Sequence, residues 1–147
     1  MDSGKYIVST HSGLAFDIGA PVNCLSRDVV YVITCTKCNL QGVGECANPK
    51  DRIPVYIRGI AQHANNAGAL PKGTVAILQH FLQEPHSLDD FRLMLVDRVP
   101  VVGLPQALRG PFRRRLELLW IAKLQAKLNK NTQWRHSFPG ALNEYDA

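Results

Sequence analysis

The chain has 147 residues, 46% hydrophobic and 20% charged, a composition that fits one ordinary globular domain and excludes a disordered or fibrous chain. Its formal charge of +5 permits a polyanionic partner without demanding one. No apolar run approaches the roughly 18 residues that a membrane span needs, and the N-terminus lacks a charged-then-apolar leader pattern, so the expectation is a soluble intracellular protein, the nucleus included.

Taken in chain order, residues 1–14 carry little pattern and read as a loose extension ahead of a domain over 15–147. Residues 28–35 are dense in β-branched and aromatic side chains and apolar on both faces, which predicts a strand in the middle of a sheet. A tight turn at Cys35-Thr-Lys-Cys38-Asn39 leads into a glycine-rich second strand over 40–45, and residues 48–54 read as a loop. Helices are expected over 55–65 and over 74–82, the latter capped near Thr74 and stopped before Pro85. Alternation over 91–96 predicts a third strand. Residues 112–128 form the clearest helix, with Phe112, Leu116, Leu119, Trp120, Leu124 and Leu128 as an apolar stripe and Glu117 and Ile121 at its margin. The order gives a small α+β domain.

Reducing compartments favour free thiols or metal ligands at Cys24, Cys35, Cys38 and Cys46. Cys35-x-x-Cys38 is short enough for both sulfurs to reach one ion, and His80-x5-His86 supplies two imidazoles. Together they make the donor set of a closed tetrahedral zinc site, and the long gap between the pairs means it would staple the first hairpin to the second helix. The alternative is unmetallated thiols with ordinary surface histidines. A redox Cys pair is disfavoured, because that chemistry needs the first Cys at a strand-to-helix junction. Arg109, Arg113, Arg114 and Arg115, followed by Lys123, Lys127 and Lys130, form a basic stripe. It reads either as a solvated helix face or, at Arg113, Arg114 and Arg115, as a phosphate-binding surface.

Several separated motifs carry a family resemblance. Phe16-Asp-Ile18, Asn23-Cys24-x-Ser26-x-x-Val29-Val30-Tyr31-x-Ile33-x-Cys35-x-x-Cys38, Gly42-Val43-Gly44-Glu45, His80-Phe81-x4-His86-Ser87, Glu117-x-x-Trp120-Ile121 and Pro139-Gly-Ala-Leu142-Asn143 follow one another in order. The chain resembles, from about residue 15 to 143, the GIY-YIG nuclease domains attached to Penelope-like retroelements. The resemblance implies a three-stranded antiparallel sheet flanked by helices, zinc on Cys35, Cys38, His80 and His86, and hydrolysis of DNA phosphodiesters assisted by magnesium or manganese. It further implies Tyr31 as the residue that orients or deprotonates the attacking water, Glu117 as the ligand of the catalytic cation, Asn143 as a supporting residue, and an arginine on the scissile phosphate. Arg58 is preferred over Arg52 for that arginine, because a helix holds a guanidinium more rigidly than a loop does. One departure stands out: Gly42 occupies the position of the second motif's tyrosine. A tyrosine there, eleven residues from Tyr31 across a hairpin, is expected to face the same site.

Outside the resemblance, Tyr31 reads as a core aromatic and Glu117 as a partner for Arg113 or Arg114 one turn back. Three functions follow: a DNA endonuclease, an inactive zinc-stabilised nucleic-acid-binding descendant, or a protein-interaction domain using Trp134 and Phe138.

Overall fold

The computed structural model describes residues 5–18, 22–23, 25–61, 75–83, 85–100 and 102–129. Strand β3 (Val29–Cys35) lies between β4 (Leu40–Cys46) and β5 (Phe91–Arg98) in an antiparallel sheet of order β4-β3-β5. As its two-sided apolar pattern demands, β3 is buried along nearly its whole length. Val29, Tyr31, Ile33 and Cys35 face helices α1 (Pro49–Ala61) and α2 (Val75–Leu82), packing with Tyr56, Ile60, Ile77, Leu78 and Phe81. Val30 and Val32 face the other way and join Val43, Val96, Trp120, Ile121 and Leu124 of a second core beneath α3 (Gln106–Leu124). The fold is the small α+β domain, with three antiparallel strands packed between helices, that the sequence leads one to expect.

Several boundaries differ, each for a local reason. Residues 5–14 are not loose: β1 (Tyr6–Val8) pairs with β2 (Ala15–Asp17), and Ile7 is buried in the second core. Ser9 Oγ donates to the Leu124 carbonyl at 2.8 Å, and the Gln41 amide bridges the Val8 carbonyl at 3.0 Å and the Thr10 N–H at 3.1 Å. These contacts are long-range, so no local pattern announces them. Helix α1 begins at Pro49 inside the segment read as a loop. Asn48 caps it, its carbonyl accepting from Asp51 and Arg52 and its side chain from the Lys50 N–H, while Pro49 sits where a missing N–H costs nothing. The expected continuation over residues 62–65, and the cap at Thr74, lie outside the described residues.

Helix α3 starts earlier than expected, with Pro111 inside it, and ends at Leu124 because Gln125 adopts a left-handed conformation, φ 51°. The chain then turns back along the outer edge of β4. The Leu128 N–H donates to the Gln41 carbonyl at 2.8 Å, and the Asn129 side chain accepts from the Val43 N–H at 2.7 Å and donates to its carbonyl at 2.9 Å. Leu128 is thus buried without being helical. The buried face of α3 is Glu117, Trp120, Ile121 and Leu124, so the apolar stripe is rotated from the expected one, leaving Leu119 45% exposed.

Candidate functional site

Two clusters of chemistry-bearing side chains sit on this frame. The first joins the end of β3 to α2. Asn39, at φ 59°, closes the turn after Cys35, and its N–H donates to the Cys35 carbonyl at 2.8 Å. That turn presents Cys35 and Cys38 to His80 on α2 and His86 just beyond it, and the four ligand atoms lie within 4.8 Å of one another. A tetrahedral ion with bonds near 2.0–2.3 Å requires ligand separations of roughly 3.3–3.8 Å, so small side-chain shifts close the shell. Cys38 Sγ and His86 Nε2 are already 3.0 Å apart.

The polar accounting fits a cation. His86 Nδ1 is 2.9 Å from the Gln83 carbonyl, which can only accept, so Nδ1 carries the proton and Nε2 turns its lone pair to the cluster. His80 Nε2 is buried with no hydrogen-bond partner. Burial and the neighbouring His86 hold His80 below the usual imidazole range, which keeps it neutral as a ligand must be. Desolvation and then the Cys35 thiol push the Cys38 thiol up, a cost that a shared cation would reverse. Cys35, Cys38, His80 and His86 therefore form a group consistent with a structural zinc site, placed between two strands and α2 as a staple.

The second cluster lies where Tyr31 reaches across β4. Tyr31 is paired with Gly44, and a Cβ on Gly44 would lie 2.3 Å from Tyr31 Cζ and Oη, so the ring occupies the space that a side chain would take. Its hydroxyl lies 2.8 Å from that of Tyr56, the rings edge to face, and Arg52 Nη1 donates to Tyr31 Oη at 3.4 Å and to the Glu45 carbonyl at 3.2 Å. Glu117 approaches from α3, close enough to interact electrostatically with Arg52, Tyr56 and Glu45. It is 5% exposed and pairs with Arg114. Burial raises Glu117 to about 7 despite that pairing. Burial likewise pushes Tyr31 up to about 12, outweighing the Tyr56 hydrogen bond and Arg52, and raises Tyr56 further still.

Of the residues expected at one site, Tyr31 accepts from Arg52, and Glu117 feels Arg52 electrostatically. Arg58, preferred on grounds of helical rigidity, is exposed on α1, whereas Arg52, also helical because α1 starts early, is the guanidinium that donates to Tyr31. Tyr56 was missed altogether. The available signal was its position four residues after Arg52, which on a helix puts the two side chains on one face. The expectation for Gly42 also fails. A Cβ there would meet Ile77 Cδ1 at 2.8 Å and Leu128 Cβ at 3.0 Å, so Gly42 lies beneath core side chains with no room for tyrosine.

The basic stripe is largely engaged within the protein. Arg113 donates to Glu45 at 2.6 Å and to the buried Asp28 at 2.5 Å, and Arg109 stands 3.8 Å from Asp28. Arg114 holds Glu117, Lys123 lies over the Trp120 ring, and Arg115 is exposed. Asn143, Trp134, Phe138, Lys130 and Cys24 lie outside the described residues. Among the described residues no helix is long and apolar enough to cross a membrane. Comparison of the chain with protein-family models, with curated proteins and with solved structures returned no match.

Proposed function

We propose that the chain is a divalent-cation-dependent endonuclease of the GIY-YIG type, acting on DNA and stapled by structural zinc. The observation that supports this reading is that Arg52 on α1 donates to Tyr31 on β3 and acts electrostatically on the buried Glu117 of α3. Zinc is the ion for Cys35, Cys38, His80 and His86, because two thiolates and two imidazoles suit a borderline-soft tetrahedral metal with no open position.

Glu117 supplies the hard carboxylate oxygen that would hold the catalytic magnesium or manganese, whose chemistry is Lewis-acid stabilisation of the oxygen leaving phosphorus. Arg52 donates to a non-bridging phosphate oxygen, where charge grows in the transition state. Tyr31, held near 12 by burial, acts as a neutral phenol that orients water rather than as a phenolate base. Tyr56 fixes that phenol and supplies the second hydroxyl that β4 lacks at Gly42.

A supercoiled-plasmid nicking assay with magnesium or manganese tests this reading. Glu117→Ala should abolish nicking, Arg52→Ala should slow it by about 10²–10³-fold, and Arg58→Ala should change it little. Nicking that survives Glu117→Ala in folded protein would refute the assignment. An inactive nucleic-acid-binding module is the second reading, favoured by one observation: Tyr31 and Tyr56 are 1% and 0% exposed and their hydroxyls satisfy each other. Salt-sensitive DNA binding without nicking on any substrate would establish it.

A further inference from the structure

The net charge of the chain has one source. Residues 98–116 hold five arginines and no carboxylate, whereas the other twelve Lys and Arg equal the twelve Asp and Glu in number. Arg113 and Arg114 are engaged with internal carboxylates. Arg98 and Arg115 are exposed, and their side chains form no ion pair or hydrogen bond among the described residues. The acid next to this stretch, Asp97, already accepts from Trp120 Nε1 at 2.9 Å and from the Arg98 N–H at 2.8 Å. Between β5 and α3 the chain turns at Val102 and Gly103, the latter at φ 78°. Turns ordinarily carry Gly, Pro, Asn, Asp or Ser, yet the aliphatic Val102 is 96% exposed, and a Cβ on Gly103 would meet open space. The surface borders the Arg52 cluster: the Val99 N–H donates to the Asp28 carbonyl at 2.8 Å, and Arg113 links the Asp28 carboxylate to Glu45, whose carbonyl accepts from Arg52.

We propose that Val102 is an apolar wedge for DNA whose base stack is already open, as at a mismatch, flap or branch, with Arg98 and Arg115 holding the adjoining phosphates. The proposal rests on DNA being the partner and needs no cation at Glu117. An aliphatic tip gains nothing from phosphate oxygens. It gains by leaving water, and the apolar surface that DNA offers is the faces of its bases. In a matched duplex stacking hides those faces, so a wedge must first unstack a step. At a mismatched or unpaired base that cost is lower, so the wedge selects flawed or branched DNA. Every cation of residues 98–116 is arginine, whose planar fork suits phosphate oxygens by geometry as well as charge. An anionic lipid surface fits less well, because one valine removes too little area from water to anchor a protein there.

The test uses the zinc-loaded full chain without added magnesium or manganese, so that binding is read apart from cleavage. By fluorescence anisotropy, wild type should bind a duplex with one mismatch about 10-fold tighter, or more, than the matched duplex. A 2-aminopurine beside the mismatch should brighten on binding, as its stacking is lost. Val102→Ser, at a position that packs against nothing, should lose both the preference and the brightening while keeping its affinity for the matched duplex. Val102→Leu should retain both. Arg98→Gln should weaken binding to the two duplexes alike and make the slope of log affinity against log salt about one unit shallower. A wild type with no mismatch preference, or a preference that Val102→Ser leaves intact, overturns the wedge while the DNA reading stands. A wild type that binds no DNA at low salt removes that reading and the wedge together. Binding to phosphatidylserine vesicles in its place, lost in Val102→Ser, would assign the turn to a lipid surface.

Discussion

At the scale of single residues, Gly44 has the clearest steric task. Tyr31 reaches Tyr56 and Arg52 only because its ring passes over a position with no side chain. Gly44→Ala puts a methyl group 2.3 Å from the ring, so Tyr31 must move. We expect a loss of about 1–3 kcal/mol in urea denaturation, as for other overpacked cores, with part of it recovered when Tyr31→Ala is added. Glu117 makes a second prediction, through linkage. Its folded value of about 7 is above the ordinary carboxylate value, so the folded state holds the proton more tightly than the unfolded chain does. Its contribution is fully favourable below the unfolded value of about 4.5 and is lost as pH rises towards 7. Without added magnesium or manganese, the urea midpoint of wild type should therefore fall between pH 5 and 8 relative to that of Glu117→Gln.

Between elements, the Cys/His cluster adds a cross-link between the β3–β4 turn and α2, beside the β3–β5 ladder and the core packing of α2. The β3–β4 turn meets the segment after α2 through the Thr36 N–H and the Asp90 carbonyl, 2.9 Å apart, and through the four ligands. Phe81 on α2 packs against both Phe91 and His86, so the position of the ligands and that of the core are linked. Cys38→Ser should reduce bound zinc, measured by elemental analysis, well below one per chain and lower the melting temperature. Cys38 is itself exposed, so lost packing would not account for a large drop. A variant that is metal-free yet unchanged in stability would remove the structural role. The outer edge of β4 is handled differently, by the Asn129 amide acting as a short mock strand on Val43.

Across the whole molecule, the N-terminal hairpin belongs to the α3 side of the fold. Phe16 meets Trp120 edge to face with centroids 6.4 Å apart, and Ser9 anchors the end of α3. Removing residues 1–14 would expose part of the second core and strip Gln41, 3% exposed, of its Val8 and Thr10 partners. Burial of Ile7 alone accounts for roughly 1.5–3 kcal/mol, and the lost Gln41 bonds add about 1 kcal/mol, its amide keeping Thr34 Oγ1 at 3.3 Å. Thermal unfolding should show a clear loss of stability, whereas a truly loose extension would leave the curve unmoved.

What the sequence determined by itself was whatever local periodicity and ligand spacing encode. The two-sided apolar run of 28–35 could only be a central strand, the CxxC turn had to lie between strands, and His80 and His86 carried enough donor chemistry to pair with it. The existence of α1, α2, β5 and α3 was legible for the same reason, although their ends were not. Those ends were set by single residues whose effect depends on surroundings: Asn48 as a cap, Gln125 in a left-handed conformation. The Arg114–Glu117 pair, one turn apart, was legible in the sequence as well. Tertiary structure alone decided the rest. It placed Arg52 rather than Arg58 at Tyr31, brought Tyr56 to the same phenol, filled the space over Gly42 with Ile77 and Leu128, and engaged Arg113 with Asp28 and Glu45. Each of these depends on contacts between residues far apart in the chain, where a change in helix start or a slight rotation of a helix changes which side chain arrives.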